Sequence, residues 1–255
     1  MHDYFRELSV LADGEPVTGF SRARLSGRER LGLCPMPFLL RLWNLPGSGT
    51  QQLAAAKEIT VLREDSILAA GQAADVCRMS GTEDAVTEAV FSPGLRLWET
   101  SVSLSVEAGV SVSETVRRIL EASGTGIPLL AFPGQDPVRI RGQAFSGRAA
   151  ECVTEALSAA SARCCLLPSG LCVVPLSGLP VSVKLSEADL ADAPVRAGER
   201  SLLLRTGVTG WPLGKRVSVT WNGKTAEGLV TERSVEADTA GGGWHAELLA
   251  ELENE

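Results

Sequence analysis

The sequence predicts an α+β protein that is mainly β, because the spacing of its apolar residues changes twice along the chain. Near both ends apolar and polar residues alternate, which is the pattern of half-buried strands. In the middle, apolar residues recur at the spacing of amphipathic helices. This order predicts two strand-rich segments and an α/β domain, with domains expected at residues 1–108, 109–182 and 183–255.

The first segment is predicted to consist of short strands separated by turns. Residues 8–11 precede Asp13-Gly14, a turn signal, and the apolar run 38–43 ends at a Pro-Gly pair. One or two helical turns are expected over residues 51–57, and another strand over residues 59–62. A further strand is predicted from the alternating apolar positions Leu95, Leu97, Val102, Leu104 and Val106.

The middle segment is predicted to contain two helices and a hairpin. Ser111 and Glu114 form a capping-box pattern before apolar residues at helical spacing, and Gly124 is expected to end this helix. A second helix is expected over residues 148–162, where small residues in the apolar stripe should allow close packing on a sheet. The apolar runs that follow flank Pro168-Ser169-Gly170 and therefore predict a hairpin.

The last segment returns to the alternation that is typical of strands. Val217, Val219 and Trp221 precede Asn222-Gly223, which strongly indicates a two-residue hairpin loop. The return arm should include residues 229–231, and residues 244–252 predict a final strand after a glycine-rich turn. The sequence shows no short-period repeat.

Composition and charge narrow the functional classes. The chain has 255 residues, a 44% hydrophobic content and a net charge of −7, which argues against tight nucleic-acid binding. There is no apolar run long enough to span a membrane, and the start of the chain does not resemble a signal peptide. We therefore expect synthesis and assembly in the cytoplasm, without a membrane span.

The cysteines and histidines do not form a recognisable site. The six cysteines lie in apolar segments without a CxxC pair, so we expect buried free thiols. His2 and His245 stand far apart in the sequence, which leaves no zinc pattern and no evident base for a nucleophilic triad. His245 is expected on the polar face of a strand.

No catalytic, cofactor-binding or metal-binding residue is predicted, and we expect no cofactor and no enzymatic activity. The chain lacks GxSxG, and its glycine-rich stretches lead into strands rather than helices. Acidic pairs such as Glu64-Asp65 are expected to be solvated, and aromatic residues are too few for a sugar-stacking groove. The tryptophans are expected to serve mainly as core or interface anchors: Trp43, Trp98, Trp211, Trp221 and Trp244.

Several motifs, taken in order, resemble one protein family. The first motif consists of residues 5–14 and 35–45, which come before a predicted short helix and strand. In the second, residues 109–124, a glycine and small residues come directly before a helix. The third, residues 142–147, precedes a helix and a hairpin. Strand motifs then continue from residue 214 to the end of the chain. This order covers most of the chain and resembles the tail hub proteins of contractile-tail bacteriophages of the Mu type, and the hub portion of type VI secretion spikes.

The resemblance implies two small tail-tube-like β-barrels flanking or enclosing an α/β domain. It further implies a homotrimeric ring of pseudo-sixfold symmetry that joins the tail tube protein to the central spike protein, next to the tape-measure protein. Such a protein would be located in the virion tail or baseplate after assembly in the bacterial host cytoplasm. A cyclic trimer would cover exposed strand edges. The negative net charge of the chain would let DNA pass through the ring without tight binding.

Two other functions remain as alternatives at this point. The chain could be a binding or adhesion module of a secretion or tail apparatus that uses its tryptophan-bearing strands. It could also be a cell-wall-degrading tail enzyme, which would need a cleft with two facing acids or a metal ion.

Overall fold

The computed structural model describes residues 6–80, 84–176, 180–208 and 213–252, and the chain divides into two compact units. The β unit contains residues 6–29, 36–93 and 181–252, and the α/β unit contains residues 30–35 and 94–180, in both cases where they are described. Among the helices of these residues, none has the length and apolar character needed to cross a membrane.

The N-terminal part of the β unit is a seven-stranded antiparallel arrangement in the order β2-β1-β5-β6-β7-β4-β3. Helix α1 follows β4 and precedes β5 in the chain, and its residue Leu53 is buried. The predicted strands at residues 8–11, 38–43 and 59–62 are confirmed. The elements are β1 (Ser9–Ala12), β2 (Glu15–Val17), β3 (Arg22–Arg30), β4 (Phe38–Trp43), α1 (Gly47–Ala55), β5 (Glu58–Arg63), β6 (Ser66–Ser80) and β7 (Ala85–Ser92).

The α/β unit packs its helices and strands around one apolar core, which includes Phe145, Val153 and Ile119. Strand β8 pairs with β10, and β12 lies between β11 and β9. The helix that begins after Ser111 and the predicted hairpin are both confirmed. The elements are α2 (Leu95–Glu99), β8 (Ser101–Val106), α3 (Val112–Ser123), β9 (Leu129–Ala131), β10 (Gln143–Arg148), α4 (Ala149–Ser158), β11 (Ala162–Leu167) and β12 (Gly170–Pro175).

The C-terminal part of the β unit has the strand order β14-β15-β18-β17-β16-β13. A 3-10 turn at Glu187–Asp189 follows its first strand. The predicted hairpin at Asn222-Gly223 and the final strand are confirmed. The strands are β13 (Val181–Leu185), β14 (Val195–Gly198), β15 (Ser201–Thr206), β16 (Arg216–Trp221), β17 (Lys224–Asp238) and β18 (Trp244–Leu252).

The two parts of the β unit form one continuous sheet of 13 strands, because β3 pairs with β17. Val235 and Ala237 of β17 pack into the same core as Leu25 and Phe38 of the N-terminal part. A smaller core around Leu204 lies in the C-terminal part. The described strands do not form a closed barrel, so the structure establishes a mainly antiparallel β unit and an α/β unit.

Some sequence-based expectations were wrong. Leu95 and Leu97 lie in helix α2 rather than in a strand, since Gly94 adopts a left-handed conformation that starts the helix and Leu97 enters the core. Cys34 and Cys77 are exposed rather than buried. Apolar neighbours along the sequence predicted their burial, but Cys77 lies at the edge of the sheet, where no further described strand covers it.

Candidate assembly surface

The three strands β5-β6-β7 and the three strands β16-β17-β18 have the same construction. Strands β6 and β17 each have 15 residues. Each follows a two-residue hairpin loop whose first residue has a positive φ, 52° at Glu64 and 48° at Asn222. In each long strand the first half pairs with the preceding strand and the second half with the following one.

A glycine marks the point where each long strand changes partner. A Cβ atom on Gly71 would lie 2.4 Å from the backbone carbonyl carbon of Ser92. A Cβ atom on Gly228 would lie 2.8 Å from the carbonyl oxygen of Glu251. Both contacts are far shorter than van der Waals distances, so each long strand passes the end of its next neighbour only because a side chain is absent.

A β-bulge follows each of these glycines three residues later. Ala74 is left out of the ladder between β6 and β7, and Thr231 is left out of the ladder between β17 and β18. The first paired residue after each bulge is acidic, Asp75 in β6 and Glu232 in β17. Because a bulge bends a strand and fixes its register, the two parts can be aligned residue by residue.

This alignment places equivalent ion pairs on the face of the sheet opposite the core. Arg41 of β4 lies across from Glu88 of β7, with Nε 2.5 Å from Oε1. Arg205 of β15 lies across from Glu247 of β18, with Nη2 3.2 Å from Oε1. Exposed ion pairs stabilise a fold only weakly, so their recurrence indicates that the two parts present similar surfaces.

Ion pairs also cross the joint between the two parts. Their sequence numbers run in opposite directions on the two strands, which shows that β3 and β17 are antiparallel. The pairs are Arg22–Asp238 at 2.5 Å, Arg24–Glu236 at 2.6 Å and Arg28–Glu232 at 3.9 Å.

A buried ion pair lies at the same joint. Arg233 Nε is 3.0 Å from Glu29 Oε1, and the two side chains are 1% and 4% exposed. Arg233 also donates a hydrogen bond to the carbonyl oxygen of Leu68, so it connects β17 with both β3 and β6. Burial raises the pKa of Glu29 to about 7, although the charge of Arg233 acts in the opposite direction. Burial likewise lowers the pKa of Arg233 against the effect of Glu29.

Asp238 carries a second buried charge at this joint. Burial alone would raise the pKa of its carboxyl group, but hydrogen bonds from Arg22 and from the backbone N–H of Ala240 lower the pKa below its ordinary value. Arg22 in turn stacks on the ring of Trp43. The Asp238 carboxylate is therefore ionised and has hydrogen-bond partners within the chain.

Four strand edges of the β unit are open within the described residues, namely those of β2, β13, β14 and the second half of β6. Strand β14 pairs only with β15, and all its residues are exposed. The second half of β6 pairs only with β7. Of the four open edges, these two expose a large apolar side chain, Val195 at 56% in β14 and Met79 at 47% in β6. Open edges with exposed apolar side chains are typical sites of association, so these two edges form the candidate assembly surface.

The residues considered for catalysis do not come together. His245 lies on the polar face of β18, as expected, 3.4 Å from Arg205 and 4.0 Å from Glu247. His2 and Trp211 fall outside the described residues. Across residues 6–80, 84–176, 180–208 and 213–252, no three His, Cys, Asp or Glu side chains are grouped as a metal site would require.

A surface groove of about 690 Å³ lies on the α/β unit. Its lining contains two arginines and a glutamine, without a carboxylate or thiol, so it offers no acid, base or nucleophile. Next to it the Ser111 hydroxyl accepts a hydrogen bond from the Glu114 amide, which is the predicted cap of α3. The lining residues are Val112, Pro137, Val138, Arg139, Ile140, Arg141, Gly142, Gln143 and Ala159.

The features that define the assembly surface were not found in the sequence. The β3 segment was missed because its charged residues obscure the alternation of Ala23 and Leu25. The equivalence of β6 and β17 depends on pairing between distant residues, which leaves little local trace beyond Gly71 and Gly228.

Comparison with known proteins shows a likeness in structure alone. No protein-family model matches the chain, and no curated protein matches its sequence. Among solved structures, a tail protein from Neisseria meningitidis MC58 superposes with a TM-score of 0.72 at 13% identity, covering 97% of this chain and 96% of that one. The 43 kDa tail protein of prophage MuSo2 from Shewanella oneidensis gives 0.66 at 12% identity, with 95% and 96% covered.

A secretion protein has the same architecture. A component of the Escherichia coli type VI secretion system, described as structurally similar to the T4 bacteriophage tail proteins gp27 and gp5, superposes with a TM-score of 0.69 at 13% identity. The match covers 96% of this chain and 77% of that chain. The chain therefore has the fold of phage tail proteins and of this secretion component, and the predicted resemblance is confirmed at the level of the fold.

Proposed function

We propose that the chain is a non-enzymatic baseplate hub of a phage or phage-derived tail, in which three copies form a ring between the tail tube and the central spike. One observation carries this proposal above the others. The β unit contains the same strand arrangement twice, with a corner glycine, a bulge and an exposed Arg–Glu pair at equivalent positions.

A chain with two equivalent parts is suited to a change of symmetry. Three copies in a cyclic ring present six similar parts, which matches a sixfold tube on one side. The ring itself is threefold and so matches a threefold spike on the other side. In this proposal each part acts as one tail-tube-like barrel, and the α/β unit of residues 30–35 and 94–180 forms a separate domain.

The proposed partners follow from this position. They are two further copies of the chain, the tail tube protein, the central spike protein and the tape-measure protein, within a virion assembled in the bacterial host cytoplasm. The net charge of −7 supports a passage through which DNA moves without being held, because phosphates are repelled by acidic surfaces.

Labelling the chain in intact tails tests the proposal. An antibody tag on the chain should be located by electron microscopy at the spike end of the tube, and quantitative mass spectrometry should give three copies per tail. A label along fibres, or absence of the chain from purified tails, would contradict the proposal. In a zymogram with bacterial cell walls, the purified chain should produce no cleared band. A cleared band would favour the alternative of a cell-wall-degrading enzyme.

A further inference from the structure

We infer that the open edge of β14 in one copy pairs antiparallel with the second half of β6 in the next copy, with Val195 opposite Cys77. This inference rests on the proposed ring and assigns the residues that close it. Within the chain, β3 pairs with β17, and the inference applies the same pairing to the open edges that are equivalent to these two strands, those of β14 and β6.

The first step identifies β14 as the counterpart of β3. After the bulges, Val90 of β7 and Leu249 of β18 occupy equivalent positions. Their neighbours on the next strand are Leu39 and Leu203, respectively. One strand further out, Ser26 of β3 pairs with Leu39 and Val195 of β14 pairs with Leu203. Val195 is therefore the equivalent of Ser26.

The second step identifies the counterpart of β17. Cys77 of β6 pairs with Glu88, and Ser234 of β17 pairs with Glu247, the acidic residue of the equivalent ion pair. Cys77 is therefore the equivalent of Ser234. The outer edge of β17 is occupied by β3 of the same chain, whereas the corresponding edge of β6 has no strand beside it among the described residues.

The third step takes the register from the joint within the chain. The ion pairs Arg24–Glu236 and Arg28–Glu232 bracket the position where Ser26 faces β17. In an antiparallel pair the residue midway between them on the partner strand is Ser234. Since Ser26 faces Ser234 within the chain, Val195 faces Cys77 between chains.

The side chains at the two open edges suit this pairing. Val195 and Cys77 lie on the face opposite the core and are both exposed in the single chain. Two residues further along, Met79 is the equivalent of Glu236 and would face Ala193, the counterpart of Arg24. The charged pair Arg24–Glu236 within the chain is thus replaced by the apolar pair Ala193–Met79 between chains, which covers apolar surface that is costly to expose to water.

A designed disulfide tests this register. The variant Val195→Cys is made together with Cys34→Ser, so that Cys77 and the new cysteine are the exposed thiols among the described residues. Oxidised glutathione is added: the two protein thiols form one disulfide and release two protons and two electrons, and the glutathione disulfide is reduced to two thiols. We expect covalent dimers and trimers on a non-reducing gel, with no larger species.

Matched controls separate the register from the ring. Arg196→Cys in the same background projects from the opposite face of β14 and should not cross-link with Cys77. Adding Cys77→Ser to Val195→Cys should abolish the bands. A second pair, Ala193→Cys with Met79→Cys in a Cys77→Ser background, should restore them.

The native mass of each variant, measured without oxidant, distinguishes the possible failures. A trimer by light scattering that fails to cross-link at both designed pairs overturns the register while the proposed ring stands. Equal cross-linking at position 196 also overturns the register. A variant that is folded by circular dichroism but monomeric overturns the ring itself, together with this inference.

Discussion

At the scale of single residues, the β unit depends on positions where a side chain is absent or a charge is buried. Gly71 and Gly228 allow a long strand to pass within van der Waals reach of its neighbour's backbone. The ionisable side chains of Glu29 and Arg233 are both buried at the joint between the two parts. The first requirement is steric and the second electrostatic, so they lead to different tests.

Replacing a corner glycine should destabilise the β unit. In Gly228→Ala the new methyl group meets the carbonyl oxygen of Glu251, which must move. We expect a loss of about 1–3 kcal/mol in the free energy of unfolding, measured by urea denaturation. Gly207→Ala is the control, because nothing lies within 4 Å of its added Cβ atom. Equal stability of the two variants would show that the close approach is unimportant.

Glu29 should make stability depend on pH. Its pKa is about 7 in the folded chain, above its ordinary value of 4.5, so the folded state retains a proton that the unfolded state has released. The resulting stabilisation is complete below about pH 4.5 and is lost as the pH rises through 7, with a change of about 3 kcal/mol. Urea unfolding from pH 4.5 to 8 should show a weaker decline in Glu29→Gln than in the native chain. If the stability of the two proteins declined equally with pH, Glu29 would not be the cause of the pH dependence.

At the scale of secondary-structure elements, the sequence predicted those that depend on local signals. The run Phe38–Trp43 and the hairpin at Asn222-Gly223 were predicted because alternation and turn residues adjoin each other. Helix α3 was predicted because Ser111 caps its start and Gly124, with φ 62°, ends it. Each of these signals lies within a few residues of the element that it defines.

Elements that depend on distant partners were not predicted. The charged strand β3 is stable because β17, some two hundred residues away, supplies opposite charges. Leu95 and Leu97 fit a strand pattern, but a short helix buries Leu97 equally well. The two edges of the assembly surface could not be predicted from the sequence either. Whether a strand lies at an edge depends on which distant segments pair with it.

The joint between β3 and β17 should depend on Asp238. Asp238→Asn removes the charge that Arg22 contacts in a carboxylate that is only 3% exposed. We expect a loss of about 1–3 kcal/mol in the free energy of unfolding, because the buried site loses the charge-assisted hydrogen bonds that Arg22 donates to the carboxylate. Asp192→Asn is the matched control, since that carboxylate is 64% exposed and pairs with Arg205 at 3.3 Å. It should change stability by less than about 1 kcal/mol, and a reversed order would contradict the assignment.

At the scale of the whole molecule, the doubled arrangement of the β unit explains both its stable joint and its open edges. Strand β3 occupies the outer edge of β17 within the chain, whereas β14 and the second half of β6 have complementary edges left over. Edges of two different kinds make a head-to-tail contact, which closes a ring only when the rotation fits. Three copies, with six equivalent parts, are the closure that we propose.

The mass of the purified native chain in solution tests this account most directly. Sedimentation velocity over a wide range of concentrations should show one assembly of three 26.9 kDa chains, about 81 kDa, that does not grow as the concentration rises. A chain that remains monomeric at the highest concentration, or one that adds copies without limit, would contradict the closed ring on which the proposed function depends.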